Sequence, residues 1–230
     1  MFIGHFGLGF AAKRAAPSVS LGTLFLAAQL ADLVWPNFVL LGLEKVEIAP
    51  GATAVTPLDF VSYPYSHSLL ALALWAAAFA GIYWAITRRG GAVPWLLGAL
   101  VLSHWALDAA SHRPDMPLLI GGGPLVGLGL WNSIPGTVLI ETALFLAGVA
   151  LYVRATRALD RIGVFALWGL VAFLLLVSVA NLLGPPPPSA RAVAWVAQSI
   201  WLLVIWGYWI DRHRGPAMAR ARGTSPPASA

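Results

Sequence analysis

The chain has 230 residues, 59% of them hydrophobic and only 10% charged, with a formal net charge of +5. So little polar surface cannot cover a soluble globule of this size, which excludes a water-soluble fold and points to an all-α membrane protein. Cysteine is absent, so disulfides and thiolate metal sites are excluded, and any metal must take nitrogen and oxygen ligands.

In chain order, residues 1–12 are too short to span a bilayer and lack the basic leader of a secretory signal. The sequence predicts a retained half-helix rising from Lys13, or an interfacial helix, with Gly4, Gly7, Gly9, Ala11 and Ala12 small enough to let another helix approach closely. About six transmembrane helices follow, at residues 18–42, 66–87, 93–111, 134–153, 163–183 and 190–210, since about 20 apolar residues cross the hydrocarbon layer. The eleven Trp and five Tyr suit a protein with two interfaces to anchor. Residues 1–214 read as a single polytopic domain, and 215–230, rich in Pro, Ser, Ala and Arg, as a disordered cytoplasmic tail.

Basic residues fall at Lys13 and Arg14, at Arg88 and Arg89, at Arg154, Arg157 and Arg161, and at Arg212, Arg214, Arg220 and Arg222. These clusters follow every second crossing, as the positive-inside rule requires, so they predict a cytoplasmic C-terminus and leave residues 43–65, 112–133 and 185–188 outside. Cations set between apolar runs are topology signals, not a nucleic-acid surface. The partner is the lipid bilayer.

The segment Ser103 to Asp115 places His104, Asp108 and His112 four residues apart, on one face of a helix. Ionisable groups inside a membrane helix are costly and usually mark a site. At about 1.5 Å per residue, Asp32, His104 and Asp108 stand roughly 16–22 Å from the inner ends of their spans, and His5 about 12 Å above Lys13. His67 lies near an outer end, as does His112, beside Arg113. His5, Asp32, His67, His104 and Asp108 are therefore expected to converge in the outer half of the bilayer, while His112 and Asp115 fall at its edge. Glu141, near mid-depth, either bonds a neighbouring helix or joins the site, and His213 belongs to the basic tail.

Four motifs carry a resemblance: G-H-F at His5, A-D-L-V-W-P at Asp32, Y-P-Y-S-H-S-L-L at His67 and S-H-W-A-L-D at His104 and Asp108. Over about residues 1–115 the chain resembles the YdjM-like family of bacterial inner-membrane metal-dependent hydrolases. The resemblance implies that these His and Asp side chains bind a metal in a bacterial inner membrane. Where many relatives carry two aspartates one residue apart, this chain has Asp32 alone, and where they carry H-R-x-x-T-H it has Tyr63, Pro64, Tyr65, Ser66 and His67.

Imidazole and carboxylate suit a divalent ion, zinc first among them, and a catalytic zinc site uses about three protein ligands and one open position. His5, His67, His104, Asp108 and Asp32 are the candidate metal ligands, and Asp32 or Asp108 the candidate catalytic base. Such a site would hydrolyse an ester, amide or phosphodiester of a lipid-like or membrane-proximal substrate near the outer face. The alternative is a metal-ion or proton transporter using the same cluster, which should continue the polar path to the inner side. A scaffold whose polar groups merely join helices would bind no metal. The loop 43–65, with an extended V-E-I and Glu44, is placed to cap the site, and the Gly-rich 121–132 run to form an interfacial or re-entrant piece.

Overall fold

The computed structural model describes residues 1–217, so the expected tail beyond Ala217 lies outside the described residues. The first helix, α1 (Ile3–Ala15), rises through the middle of the bundle instead of lying on an interface, with Ile3, Phe6 and Phe10 fully enclosed. Its small residues permit this. Gly7 lies against the backbone of Leu144 and Phe145, and Gly148 lies directly on the Gly7 carbonyl, so α1 touches its partner backbone to backbone.

The 18–42 crossing is not one straight helix. It forms α2 (Leu21–Ala28) and α3 (Leu30–Leu40), bent by 54° at Gln29. Gln29 is fully buried, and its side-chain amide has no hydrogen-bond partner among the described residues. A one-turn helix α4 (Pro64–His67) then precedes α5 (Leu69–Thr87), because Ser68 turns extended and caps α5 through the Ala71 amide. His67 thus belongs to a separate turn, just outside the span. The remaining long helices are α6 (Ala92–Ser111), α7 (Ile134–Ala155) and α8 (Arg161–Leu183), followed by α9 (Ala190–Ala197) and α10 (Ile200–Arg212), which continue one another as a single span. Side-chain caps from Ser133, Asp160 and Ser189 open α7, α8 and α9.

Five helices are long and apolar enough to cross a membrane, six with the bent α2–α3 pair, which makes this an all-α, multi-pass membrane protein. Their outer faces carry the expected lipid-facing side chains, such as Leu74, Ile86, Phe165 and Leu176. One end of the bundle gathers the basic connections. Lys13 reaches Asp211 at 2.5 Å, Arg89 donates to the Ser18 carbonyl, and the strand β5 (Thr156–Ala158) pairs with β6 (Arg214–Pro216). Gly215 and Pro216, assigned by sequence to the tail, are therefore structured. At the opposite end the β1 (Lys45–Ile48) and β2 (Leu58–Ser62) hairpin joins the 112–133 connection through Val55 N–H and the Trp131 carbonyl. That second connection folds as the short pair β3 (Met116–Pro117) and β4 (Leu125–Val126) plus a 3-10 turn at Leu130–Asn132, and it does not re-enter the bundle as a helix.

Candidate metal centre

Four helices deliver five ionisable side chains to one point inside the bundle. His5 comes from α1, Asp32 from the first turn of α3, His67 from α4, and His104 with Asp108 from one face of α6. Four of the five are nearly sealed from solvent, and only Asp32, with its side chain one-quarter exposed, opens outward.

The Nε2 atoms of His67 and His104 each face one oxygen of Asp32 and one of Asp108. His104 Nε2 lies 3.1 Å from Asp108 Oδ2 and 3.7 Å from Asp32 Oδ1. His67 Nε2 lies 3.7 Å from Asp108 Oδ2 and 3.5 Å from Asp32 Oδ1. Ligands about 2.0–2.2 Å from a shared ion in tetrahedral array stand roughly 3.3–3.6 Å apart, and the four separations bracket that range. Two groups, His5 with His104 and Asp108, and Asp32 with His67 and His104, have ligand atoms all within 4.8 Å of one another, so this cluster can hold a metal ion.

The hydrogen bonds around His104 give the fit its chemical content. The break at Gln29 frees the last carbonyls of α2 from helical donors, and that of Ala28 accepts from His104 Nδ1 at 2.8 Å. A carbonyl only accepts, so Nδ1 carries a proton, and in the neutral ring the lone pair is on Nε2. That atom is buried and makes no hydrogen bond. It nevertheless faces two carboxylates. Set against two carboxylates, that position favours a cation, either a proton on the ring or a metal ion between ring and carboxylates. His104 belongs to both ligand groups, and with Nδ1 on the Ala28 carbonyl it has one nitrogen left to offer an ion.

His5 serves Asp108 from the other side. Its Nε2 lies 3.0 Å from Asp108 Oδ1, and its ring stacks on His104 with centroids 3.7 Å apart and planes within 1° of parallel. The Met1 nitrogen also pairs with Asp108, and the Phe2 and Ile3 amides donate to Glu141 at 2.9 and 3.1 Å. Glu141 is thus the cap that α1 lacks within its own sequence, which places it as a bond to a neighbouring helix. The positive end of α1 is held against Asp108, where it favours negative charge.

Two residues that the sequence does not single out as site members stand behind His67. Ser66 Oγ lies 2.7 Å from His67 Nδ1 and donates to Glu44 Oε2, also at 2.7 Å. The other Glu44 oxygen accepts the Tyr65 and Ser66 amides, both at 2.8 Å. Burial pushes the Glu44 carboxyl above its ordinary value, against the opposing pull of the Ser66 bonds. The loop 43–65 does cap the centre, through this one side chain. Only the adjacency of Ser66 to His67 hints at it in sequence.

His112 is not brought to the cluster. It lies beneath Trp131 and Phe60, bonded to Asp115 at 2.9 Å, with the Tyr63 hydroxyl 3.2 Å away. Although it follows the outer end of α6 and stands beside Arg113, it is buried, and that burial lowers its basicity despite Asp115. Arg113 instead bridges Asp59 and Asp115 at the surface. His213 pairs with Asp160, 2.7 Å away at the basic end.

No protein-family model matches the chain, and no curated protein or solved structure matches it.

Proposed function

We propose that the protein is a membrane-embedded, metal-dependent hydrolase of a bacterial inner membrane, with its C-terminus cytoplasmic and its centre in the outer half of the bilayer. The observation that carries this reading is the alternation of His67 Nε2, Asp32 Oδ1, His104 Nε2 and Asp108 Oδ2 at 3.1–3.7 Å. His67, His104 and Asp108 are the ligands of a divalent ion, zinc by their donor chemistry. When bound, such an ion supplies a water of lowered pKa able to attack an ester, amide or phosphodiester.

The protein's own groups divide the remaining work. Asp32, the one partly exposed member, is the group of the cluster that water can reach, and acts as general base. His5, with Nε2 on Asp108 and its ring on His104, holds both in place. Phe6, Phe10, Phe25 and Phe145 pack edge to face between the cluster and the basic end, so the polar path stops there. That closure supports hydrolysis over ion transport, which needs a path through to both sides. The four sequence motifs of the YdjM-like resemblance agree with this reading.

A lipid-like substrate is supported by two adjoining cavities. One, of about 540 Å³, is apolar and runs along the outward face of α5 past Ala71, Leu74, Trp75 and Ala78. The other, of about 700 Å³, lies among the outer loops beside Asp59, Tyr63, Arg113 and Asp115. They share Leu43, Tyr65 and Ile120, a shape matched to an acyl chain with a polar head. The five cluster residues line neither cavity, but Tyr65 sits in the same helical turn as His67.

Elemental analysis of the purified protein tests the centre, and incubation of metal-loaded protein with lipid extracts tests the reaction. One zinc per chain and a product missing from His104→Ala sustain the proposal. A wild-type protein without stoichiometric metal, or a variant that keeps it, overturns it.

A further inference from the structure

We infer that Glu44 and Ser66 are positioning residues that dictate which nitrogen of His67 faces the centre. This rests on the reading of His67 as a ligand. Ser66 has one hydroxyl proton, and it goes to Glu44 Oε2, 2.7 Å away, on a carboxylate whose other oxygen already accepts two backbone amides. With its proton committed there, Ser66 Oγ can only accept at its other contact, 2.7 Å from His67 Nδ1. Nδ1 therefore carries the ring proton, and Nε2 is left with a lone pair toward Asp32 and Asp108. A side-chain relay fixes at His67 what the Ala28 carbonyl fixes at His104, so both imidazoles present the same atom in the same state.

The relay has a direction, and Glu44 sets it. One Glu44 oxygen is occupied by two backbone donors, the Tyr65 and Ser66 amides at 2.8 Å. In Glu44→Gln, the side-chain carbonyl must stay on those amides, because they can only donate. The NH2 group is then forced to the Ser66 side, where it donates to Oγ. Ser66 turns its hydroxyl proton to His67 Nδ1, the ring proton moves to Nε2, and the ligand lone pair is lost. A substitution of one oxygen by one nitrogen, with no atom of the cluster touched, reverses a chain of hydrogen bonds. Ser66→Ala breaks the chain instead, leaving Nδ1 without its acceptor. Ser66→Thr keeps the hydroxyl and the chain.

The experiment is nitrogen-15 NMR of histidine-labelled protein in nanodiscs, with His67 assigned by its loss in His67→Gln, alongside zinc titration against a chelator of known affinity. The relay predicts a proton on His67 Nδ1 in the metal-free wild type and on Nε2 in Glu44→Gln. It predicts zinc affinity reduced by about 10- to 100-fold in Glu44→Gln and Ser66→Ala, as for loss of groups that orient metal ligands, and restored in Ser66→Thr. An unchanged tautomer in Glu44→Gln, or unchanged affinity in both Glu44→Gln and Ser66→Ala, overturns the inference. A tautomer that switches in a protein that takes up no zinc sustains the relay and overturns the metal reading, so the two failures are distinct. Should Glu44→Gln not fold, Ser66→Ala and Ser66→Thr carry the same comparison.

Discussion

The imidazoles of His5 and His104 lie face to face, 3.7 Å apart and within 1° of parallel, although 99 positions separate them in the chain. Each touches a different oxygen of Asp108, at 3.0 and 3.1 Å. The stack makes the two rings unequal partners: His104 has its free nitrogen toward both carboxylates, whereas His5 directs Nε2 at Asp108 and leaves Nδ1 without a partner among the described residues.

From that inequality, His104→Ala should abolish stoichiometric zinc, because it removes an atom common to both ligand groups. His5→Phe keeps the aromatic stack but not the contact with Asp108, and should bind zinc about 10- to 100-fold more weakly without losing the site. Chelator competition on the two variants, side by side, separates them; equal loss would place His5 among the ligands.

Wild-type protein should bind one ion per chain. The two geometric groups share His104 Nε2, and Nδ1 of that ring is already committed to Ala28. Mass-spectrometric metal counting of the intact protein checks this; two ions per chain would require a second, independent set of donors.

Glu141→Ala should weaken the fold by about 1–3 kcal/mol, the cost of leaving buried backbone donors unpaired. It strips the Phe2 and Ile3 amides of their acceptor within the bundle. Glu141→Gln, which keeps one acceptor oxygen, should lie close to wild type. Reversible unfolding in mild detergent, with and without zinc, reads the difference.

Gly148→Ala should destabilise by roughly 1–3 kcal/mol, because the added methyl would fall on the Gly7 carbonyl. Gly81→Ala, in α5 with open space around it, should be neutral or slightly favourable. A comparison of melting temperatures tests the pair, and equal values would contradict the backbone contact between α1 and α7.

Much of this architecture is legible before folding. The apolar runs and the alternating basic clusters define the crossings, and the His104–Asp108 spacing is a helical stripe that periodicity alone places on one face. The glycines at 4, 7 and 9 mark a close helix contact without deciding between a rising half-helix and an interfacial one, and they do not name the partner, because Gly148 sits in an ordinary lipid-compatible run. The break at Gln29 leaves no trace: neither Gly nor Pro marks it, and Pro36 falls seven residues later. Its effect, a carbonyl of Ala28 turned to His104, is a main-chain contact that no side-chain pattern encodes. Ser66 and Glu44 escape notice for a different reason: they lie 22 residues apart and meet only when the 43–65 loop folds back over α4. His112 has the same spacing as its neighbours, but α6 ends at Ser111 and the chain turns extended at the next residue, which takes that ring out of the stripe.

The seating of α1 against α7 has a consequence for how the protein is made. Within the chain, α1 precedes its capping carboxylate, Glu141, and the glycine it rests on, Gly148, by some 140 residues. Chains fold from the N-terminus as they are synthesised, and contacts between distant segments must wait for the later one. Until the helix bearing Glu141 has entered the bilayer, the Phe2 and Ile3 amides at the start of α1 lack their acceptor, although the partners of His5, His104 and Asp108, are already in place on α6. The cluster, drawn from α1, α3, α4 and α6, is therefore assembled before α7 arrives to cap α1 and close against it.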